Sequence, residues 1–160
     1  IKTVECNDIT SPYPNDVRLN ATLLGDRLIC NKLYASKELL QWAENNSIEV
    51  ISTKQGYCKC NLCFLNNRAV ITEDDNLAYL LKNYQIDVLK LSKGYVSLSD
   101  KHYGFIGGAC AKVSESEMYF SGNLCAHPDY NKMRDFMNRY NIKPIFNKDI
   151  AKLGIVFSIF

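Results

Sequence analysis

The fold is decided by residues 62–89, which read LCFLNNRAVITEDDNLAYLLKNYQIDVL. Two short apolar runs flank the polar pair Asn66-Asn67, and asparagine suits the turn of a β-hairpin. Three leucines and a tyrosine then recur at helical spacing between residues 77 and 84, which predicts an amphipathic helix. The stretch is therefore predicted to be a strand-strand-helix-strand unit, with strands at 62–65, 69–71 and 86–89 and the helix at 75–84.

Two further blocks show the same order of elements. The block before residues 62–89 predicts strands at 21–24, 28–30 and 48–51 and a helix at 36–44. The block after them predicts strands at 111–113, 118–120 and 142–145 and a helix at 128–140. We therefore predict one α/β domain over residues 1–160. Its repeats span about 17–53, 61–92 and 109–147, and a C-terminal helix (149–153) and strand (154–160) fill residues 148–160.

Local signals support these helix starts and the repeat. Ser36 is predicted to cap the first helix, and Pro128 suits a first helical turn with Asp129 beside it at the positive end of the helix dipole. In two of the blocks, a Gly-Tyr pair begins eight residues after the first isoleucine of the closing strand. These pairs begin at Gly56 and at Gly94. The shared order of elements and the Gly-Tyr spacing together favour a true internal repeat.

Composition limits the class of protein. The 160 residues are 47% hydrophobic and 22% charged, with a formal net charge of +2, which is ordinary for a globular chain. The basic residues are spread along the sequence, so no nucleic-acid partner is predicted. The sequence also shows no membrane span and no signal peptide. Seven cysteines, an odd number, predict free thiols and a cytoplasmic location. Because the chain begins with Ile1, we expect a fragment or a processed product.

Several motifs carry a resemblance to a known family. They are Lys54-Gln55-Gly56-Tyr57, Ile71-Thr72, Ile86-Asp87-Val88-Leu89, Gly104-Phe105-Ile106-Gly107-Gly108-Ala109, Phe120-Ser121-Gly122 and His127-Pro128-Asp129. From about residue 13 onward, the sequence resembles an uncharacterised bacterial family assigned to the pentein α/β-propeller fold. That is the fold of guanidino-group-modifying enzymes such as arginine deiminases, amidinotransferases and dimethylarginine dimethylaminohydrolases. The resemblance therefore implies a pentein-like α/β-propeller.

The number of repeats differs from what the resemblance implies. Pentein propellers have five blades, whereas this sequence predicts three, with a remnant at 1–6 and a missing blade or more around 8–15. We therefore expect an incomplete chain or an open ring. An open ring exposes sheet edges, which proteins cover or pair, so a second copy of the chain is a predicted partner.

The resemblance also implies a chemistry. In those enzymes a cysteine thiolate attacks the guanidinium carbon, a histidine moves protons, and carboxylates hold the guanidinium nitrogens. Cys110 follows a Gly-Gly pair, as in the approach to the nucleophile in those enzymes, and Cys60 beside Lys59 is a second candidate thiol. His127 is the candidate acid-base residue, while His102 is predicted to be solvent-exposed. The alternative for each cysteine is a packed, unreactive side chain.

Two other kinds of site are disfavoured by spacing. Cys58, Cys60 and Cys63 form a cysteine cluster, but Cys58 and Cys60 lie two residues apart in a predicted strand and no second cysteine pair follows at ligand spacing, so no metal is predicted. Residues 104–109 are rich in glycine, but their spacing differs from a dinucleotide fingerprint and a strand follows, so no cofactor is predicted. These glycines are expected instead to allow positive φ angles.

Polar residues at strand ends define a predicted ligand-binding face. Two functions remain open. The first is a non-catalytic pentein-fold protein that binds a small guanidine- or amidine-like molecule or a protein partner. The second is a hydrolase or amidinotransferase that acts on a guanidino compound through a cysteine. The sequence lacks a Cys-His-carboxylate set in family register, which favours the first. The predicted ligand-binding residues are Lys54, Gln55, Tyr57, Thr72, Asp74, Gly107, Gly108, Ser121 and Asn123.

Overall fold

The chain is divided into two compact units, Ile1–Lys59 and Cys60–Phe160, called here the N-terminal and C-terminal units. The computed structural model describes residues 5, 6, 9–98 and 103–154. The predicted terminal strand at 154–160 lies almost wholly outside the described residues, as do His102 and most of the predicted remnant at 1–6. None of the helices in the described ranges has the length and hydrophobicity needed to cross a bilayer.

The N-terminal unit contains one small sheet. After a 3₁₀ turn (Asn15–Val17), the elements are β1 (Thr22–Leu24), β2 (Arg27–Cys30), α1 (Lys37–Asn45) and β3 (Glu49–Ser52), and α2 (Cys58–Asn61) covers the residues where the units meet in sequence. The central strand β2 pairs antiparallel with β1 and parallel with β3. The Ser36 hydroxyl accepts the Leu39 amide at 3.1 Å, which confirms the predicted cap of α1.

The C-terminal unit contains two sheets of the same topology. The first is built from β4 (Leu62–Asn66), β5 (Ala69–Thr72), α3 (Asp75–Asn83) and β6 (Asp87–Lys90). The second is built from β7 (Cys110–Ser114), β8 (Glu117–Phe120), α4 (Tyr130–Arg139) and β9 (Lys143–Ile145), with 3₁₀ turns at Ile106–Gly108 and Leu124–Ala126. Each middle strand pairs antiparallel with its hairpin partner and parallel with the strand that follows the helix.

The topology follows from the chain's periodicities. A parallel pair needs a crossover between its strands, and α3 and α4 supply these crossovers. Both sheets of the C-terminal unit contribute to one apolar cluster, which includes Ile71 and Phe120. Two methionines of α4, Met133 and Met137, are fully buried in the same cluster. The two sheets therefore share one apolar cluster.

Some predictions for individual segments were wrong. Residues 149–153 form turns rather than a helix, because the Lys152 carbonyl accepts the Asn123 amide and Leu153 forms an antiparallel bridge with Gly122. Helix α4 starts at Tyr130 instead of at Pro128. Cys58 and Cys60 lie in the short helix α2 and not in a strand. The single-domain boundary, the propeller arrangement and pairing with a second copy remain predictions.

Candidate functional site

The polar residues of the C-terminal unit gather just beyond the ends of β5, β6 and β8. Strands β5 and β6 are parallel, so their carboxyl ends share one edge of the sheet. Glu73 follows β5 directly, and the Ser92–Tyr95 loop begins two residues after β6. Ser121 follows β8, and its amide donates to the Ala109 carbonyl at 2.9 Å. Glu73 and the Ser92–Tyr95 loop thus share this edge, whereas Ser121 follows the middle strand of the other sheet.

Glu73 is the most deeply buried carboxylate of this edge. It is 2% exposed, and its Oε2 accepts the Ile106 amide at 3.0 Å. Its Oε1 is buried without a hydrogen-bond partner. Burial raises the pKa of Glu73, and this is opposed by the hydrogen bond from the Ile106 amide, the nearby Gly94 backbone and the positive charges of Lys90 and Lys93. Glu73 therefore presents an unmet acceptor in a desolvated position.

His127 is equally buried, at 2% exposure. Its Nδ1 accepts the Asp129 amide at 3.0 Å, so the proton of the neutral ring must sit on Nε2. Nε2 has no hydrogen-bond partner. Burial lowers the pKa of His127, while the Asp129 carboxylate and the Ser92 backbone favour the charged form. The Ser92 backbone has this effect on the pKa of His127 without forming a hydrogen bond to Nε2. His127 is therefore a buried donor, complementary to the acceptor on Glu73.

Asp129 connects the helix start to the loop after β6. Its Oδ2 accepts the Ser92 amide at 2.7 Å, and its Oδ1 accepts Lys132 Nζ at 2.7 Å. The carboxylate is only 7% exposed. The hydrogen bond from Lys132 lowers the pKa of Asp129 to about 2, helped by the bonds from Ser92 and opposed by burial. Asp129 is thus ionised at neutral pH and holds the loop in place.

Each residue of the Ser92–Tyr95 loop is held by a different side chain. The glycine of the loop has φ +91°, and a methyl group added there would meet no atom within 4 Å. Glycine is therefore required at this position for its conformation rather than for space. Ser92 and Lys93 are hydrogen-bonded to Asp129 and Asp75, the Gly94 backbone lies near Glu73, and the Tyr95 ring contacts that of His127.

Several predicted ligand-binding residues have local structural partners. The Thr72 hydroxyl accepts the Asp74 amide at 3.2 Å. Asp74 caps α3 by accepting the Leu77 amide at 2.9 Å. Asn123 accepts the Cys125 amide and donates to the Lys148 carbonyl. Ser121 differs, because its buried hydroxyl has no hydrogen-bond partner.

The candidate nucleophile Cys110 begins β7 and is half-buried. Its thiol lies 3.8 Å from the Gly107 carbonyl. Gly107 and Gly108 lie in a 3₁₀ turn, so the expected positive φ angles are absent there. In the C-terminal unit the positive-φ glycines of the described ranges are Gly94 and Gly122. Cys110 therefore lies near the segment that binds Glu73.

The imidazole of His127 interacts with Asp129, Ser92 and Tyr95. Cys60, in α2, is half-buried. No disulfide is formed by the cysteines, all of which lie in the described part of the chain. Within that part, no group of three or more His, Cys, Asp or Glu residues could hold a metal ion.

Three predicted site residues belong to the N-terminal unit. Lys54 is exposed, and its carbonyl accepts Asn31 Nδ2 at 3.1 Å. The Gln55 side chain accepts the Tyr57 amide at 3.1 Å. The Tyr57 hydroxyl donates to Asp16, and the Tyr57 ring stacks on another tyrosine. These contacts place the three residues around one turn of their own unit.

The fold is similar to two solved structures. One is the crystal structure of a dimethylarginine dimethylaminohydrolase adduct with 4-chloro-2-hydroxymethylpyridine, with a TM-score of 0.51 and 11% identity over 81% of this chain and 49% of that chain. The other is the Pseudomonas aeruginosa enzyme, a cysteine-to-serine mutant complexed with citrulline, with a TM-score of 0.50 and 10% identity over 84% and 50%. The likeness shows a pentein-like fold. The chain spans about half the length of these enzymes.

Sequence comparison identifies a family but no characterised relative. A family model described as a family of unknown function matches residues 1–156. No curated protein matches the sequence. The function must therefore be inferred from the site.

Proposed function

We propose, from the premise that this chain belongs to the family of unknown function DUF6873 and has a pentein-like fold, that its C-terminal unit binds a small guanidine- or amidine-like molecule without converting it. The ligand site is the edge defined by Glu73, Ser121, His127 and the Ser92–Tyr95 loop. The fold likeness to an enzyme complexed with citrulline supports a ligand of this general class.

The observation that carries the proposal is the unpartnered Oε1 of Glu73. A buried carboxylate oxygen without a hydrogen bond costs free energy, and an N–H donor from a ligand would remove that cost. Guanidinium and amidinium groups offer parallel N–H donors and a positive charge, which match a carboxylate closely. Because burial raises the pKa of Glu73, a bound cation would also favour its ionised form.

The state of His127 favours binding over catalysis by a cysteine. A general base must accept the thiol proton. The Nδ1 of His127 is already engaged by the Asp129 amide, and its Nε2 carries the proton of the neutral ring. The histidine can therefore donate a hydrogen bond to a ligand but has no vacant nitrogen to take a proton from Cys110.

The test is a titration with methylguanidinium and acetamidinium, followed by amide and imidazole NMR signals. We expect saturable shifts at Ile106, Gly94 and His127, because their contacts surround the site. Glu73→Gln should weaken binding by about tenfold or more, since it removes the charge and one acceptor of the carboxylate. The matched control is Glu115→Gln, at an exposed turn, which should bind as the unmodified protein does. Equal affinities for all three proteins would refute the site.

The second candidate function is a hydrolase or amidinotransferase acting through Cys110 or Cys60. It is favoured by one observation, the position of Cys110 next to the 3₁₀ turn whose first amide binds Glu73. Chloroacetamidine, an amidine electrophile, separates the two functions. For a binding protein we expect Cys110 to react no faster in the folded than in the unfolded chain, as measured by mass spectrometry. Rapid labelling of Cys110 in the folded state only, suppressed by methylguanidinium, would establish the enzyme instead.

A further inference from the structure

We infer that Tyr95 determines the specificity of this site, favouring planar guanidinium and amidinium groups over tetrahedral ammonium groups. The inference rests on the proposed function and adds to it which cations the site distinguishes. It follows from where the tyrosine lies, how it is held, and what its ring offers to a cation.

Tyr95 contacts one buried group of the site and follows a residue that lies near the other. Its ring centroid is 5.5 Å from that of His127, with the ring planes at 65°. The backbone of the residue before it, Gly94, lies near enough to the Glu73 carboxylate to lower its pKa. Tyr95 is nevertheless 51% exposed. Part of the ring therefore packs against the histidine, and the rest of it faces solvent.

The position of Tyr95 is fixed before any ligand binds. Ser92 is held by Asp129 on one side of the loop, and Val96 on the other side is fully buried. The φ of +91° at Gly94 sets the turn between them. A side chain that is already oriented loses little conformational entropy on binding, so its contacts with a ligand are realised in full.

The chemistry of an aromatic ring distinguishes the two kinds of cation. A tyrosine face attracts positive charge, and a planar guanidinium can stack on that face while its N–H groups point outward in the plane. Those N–H groups remain available to the carboxylate of Glu73. An ammonium group is compact, strongly hydrated and tetrahedral, so it gains less from the ring. Tyr95 should therefore contribute more to binding guanidinium than ammonium.

The experiment compares methylguanidinium with methylammonium, two cations of equal charge, by NMR titration of the full chain. For the unmodified protein we expect methylguanidinium to bind more tightly. Tyr95→Leu should lower the ratio of the two affinities about three- to tenfold. Tyr95→Phe, which keeps the aromatic face, should retain the ratio within about twofold. Tyr79→Leu, at a tyrosine of α3 that is 73% exposed, is the matched control and should change nothing.

The possible outcomes separate this inference from the proposed function. Equal weakening of both cations by Tyr95→Leu would show that Tyr95 only supports the loop, and would overturn the inference while leaving the binding site intact. Affinities for both cations that are unchanged by Tyr95→Leu would also overturn the inference. If the unmodified protein binds neither cation, the proposed function itself fails. Urea unfolding of each variant checks that it is folded, and Tyr95→Phe still tests the inference if Tyr95→Leu is not.

Discussion

Replacing Gly122 with alanine should destabilise the C-terminal unit by about 4 kcal/mol. Gly122 has φ +90°, a conformation that side-chain-bearing residues rarely adopt. An added methyl group would overlap the Lys152 carbonyl oxygen and lie 3.3 Å from the Leu153 Cα. These are backbone atoms of a segment that forms a β-bridge with Gly122 and a hydrogen bond with the Asn123 amide, so they cannot shift without losing those contacts. Urea unfolding measures the loss.

A matched control separates steric overlap from backbone strain. Gly94 has nearly the same φ, +91°, but nothing lies within 4 Å of the position of an added methyl group. Gly94→Ala should therefore cost only the strain of a positive φ, about 1–2 kcal/mol. Equal losses at the two glycines would contradict the close approach of the 152–153 segment to Gly122.

Replacing Asp129 with alanine should cost about 3 kcal/mol, because it leaves the Ser92 amide without its acceptor and removes a buried charge-assisted hydrogen bond. The Ser92–Tyr95 loop should then loosen, which hydrogen exchange at the Ser92 amide would report. Lys132→Met is the control. Lys132 is 68% exposed, so its loss should cost less than about 1 kcal/mol. A larger effect from Lys132→Met than from Asp129→Ala would show that the loop does not depend on Asp129.

The stabilising effect of Asp129 should also depend on pH. Its pKa is lowered from 3.8 to about 2 in the folded protein, so its charge stabilises the fold above pH 4, and this contribution disappears as the pH falls through 2. The depressed pKa corresponds to about 1–2 kcal/mol, after allowance for solvent screening at the exposed Lys132. The stability gap between the unmodified protein and Asp129→Ala should therefore narrow by that amount between pH 6 and pH 2. A gap independent of pH would show that folding does not lower the pKa of Asp129.

The order of strands and helices was predictable because each element carries its own local signal. The Asn66-Asn67 turn and the helical spacing that follows it can be read without tertiary information, and the observed bounds differ from the predicted ones by at most two residues. Residues 149–153 were mispredicted because spaced apolar residues suggested a helix. The backbone of Lys152 is instead hydrogen-bonded to that of Asn123, and Leu153 forms a β-bridge with Gly122. Local sequence patterns do not encode such long-range contacts.

The candidate site was only partly predictable. His127 was recognised from its place before a helix, and Ser121 from its place after a strand. Glu73 was missed because an acidic residue next to Asp74 suggests a solvated helix start, whereas Asp74 alone caps α3. One signal was available: Glu73 directly follows β5, whose four residues are all buried. The tautomer of His127 depends on the Asp129 amide, and only the folded structure shows that contact.

The pairing pattern of the strands also bears on how the chain folds. Each strand of the three sheets finds its partners within one block, so a sheet can assemble after closing only short loops, and such closure is fast. Among the described residues, the exceptions are the bridges from Ser97 to Gly154 and from Gly122 to Leu153. These join residues of different blocks, so we expect them to form after the sheets. The segment that packs against Gly122 therefore acts as the final closure of an otherwise locally assembled unit.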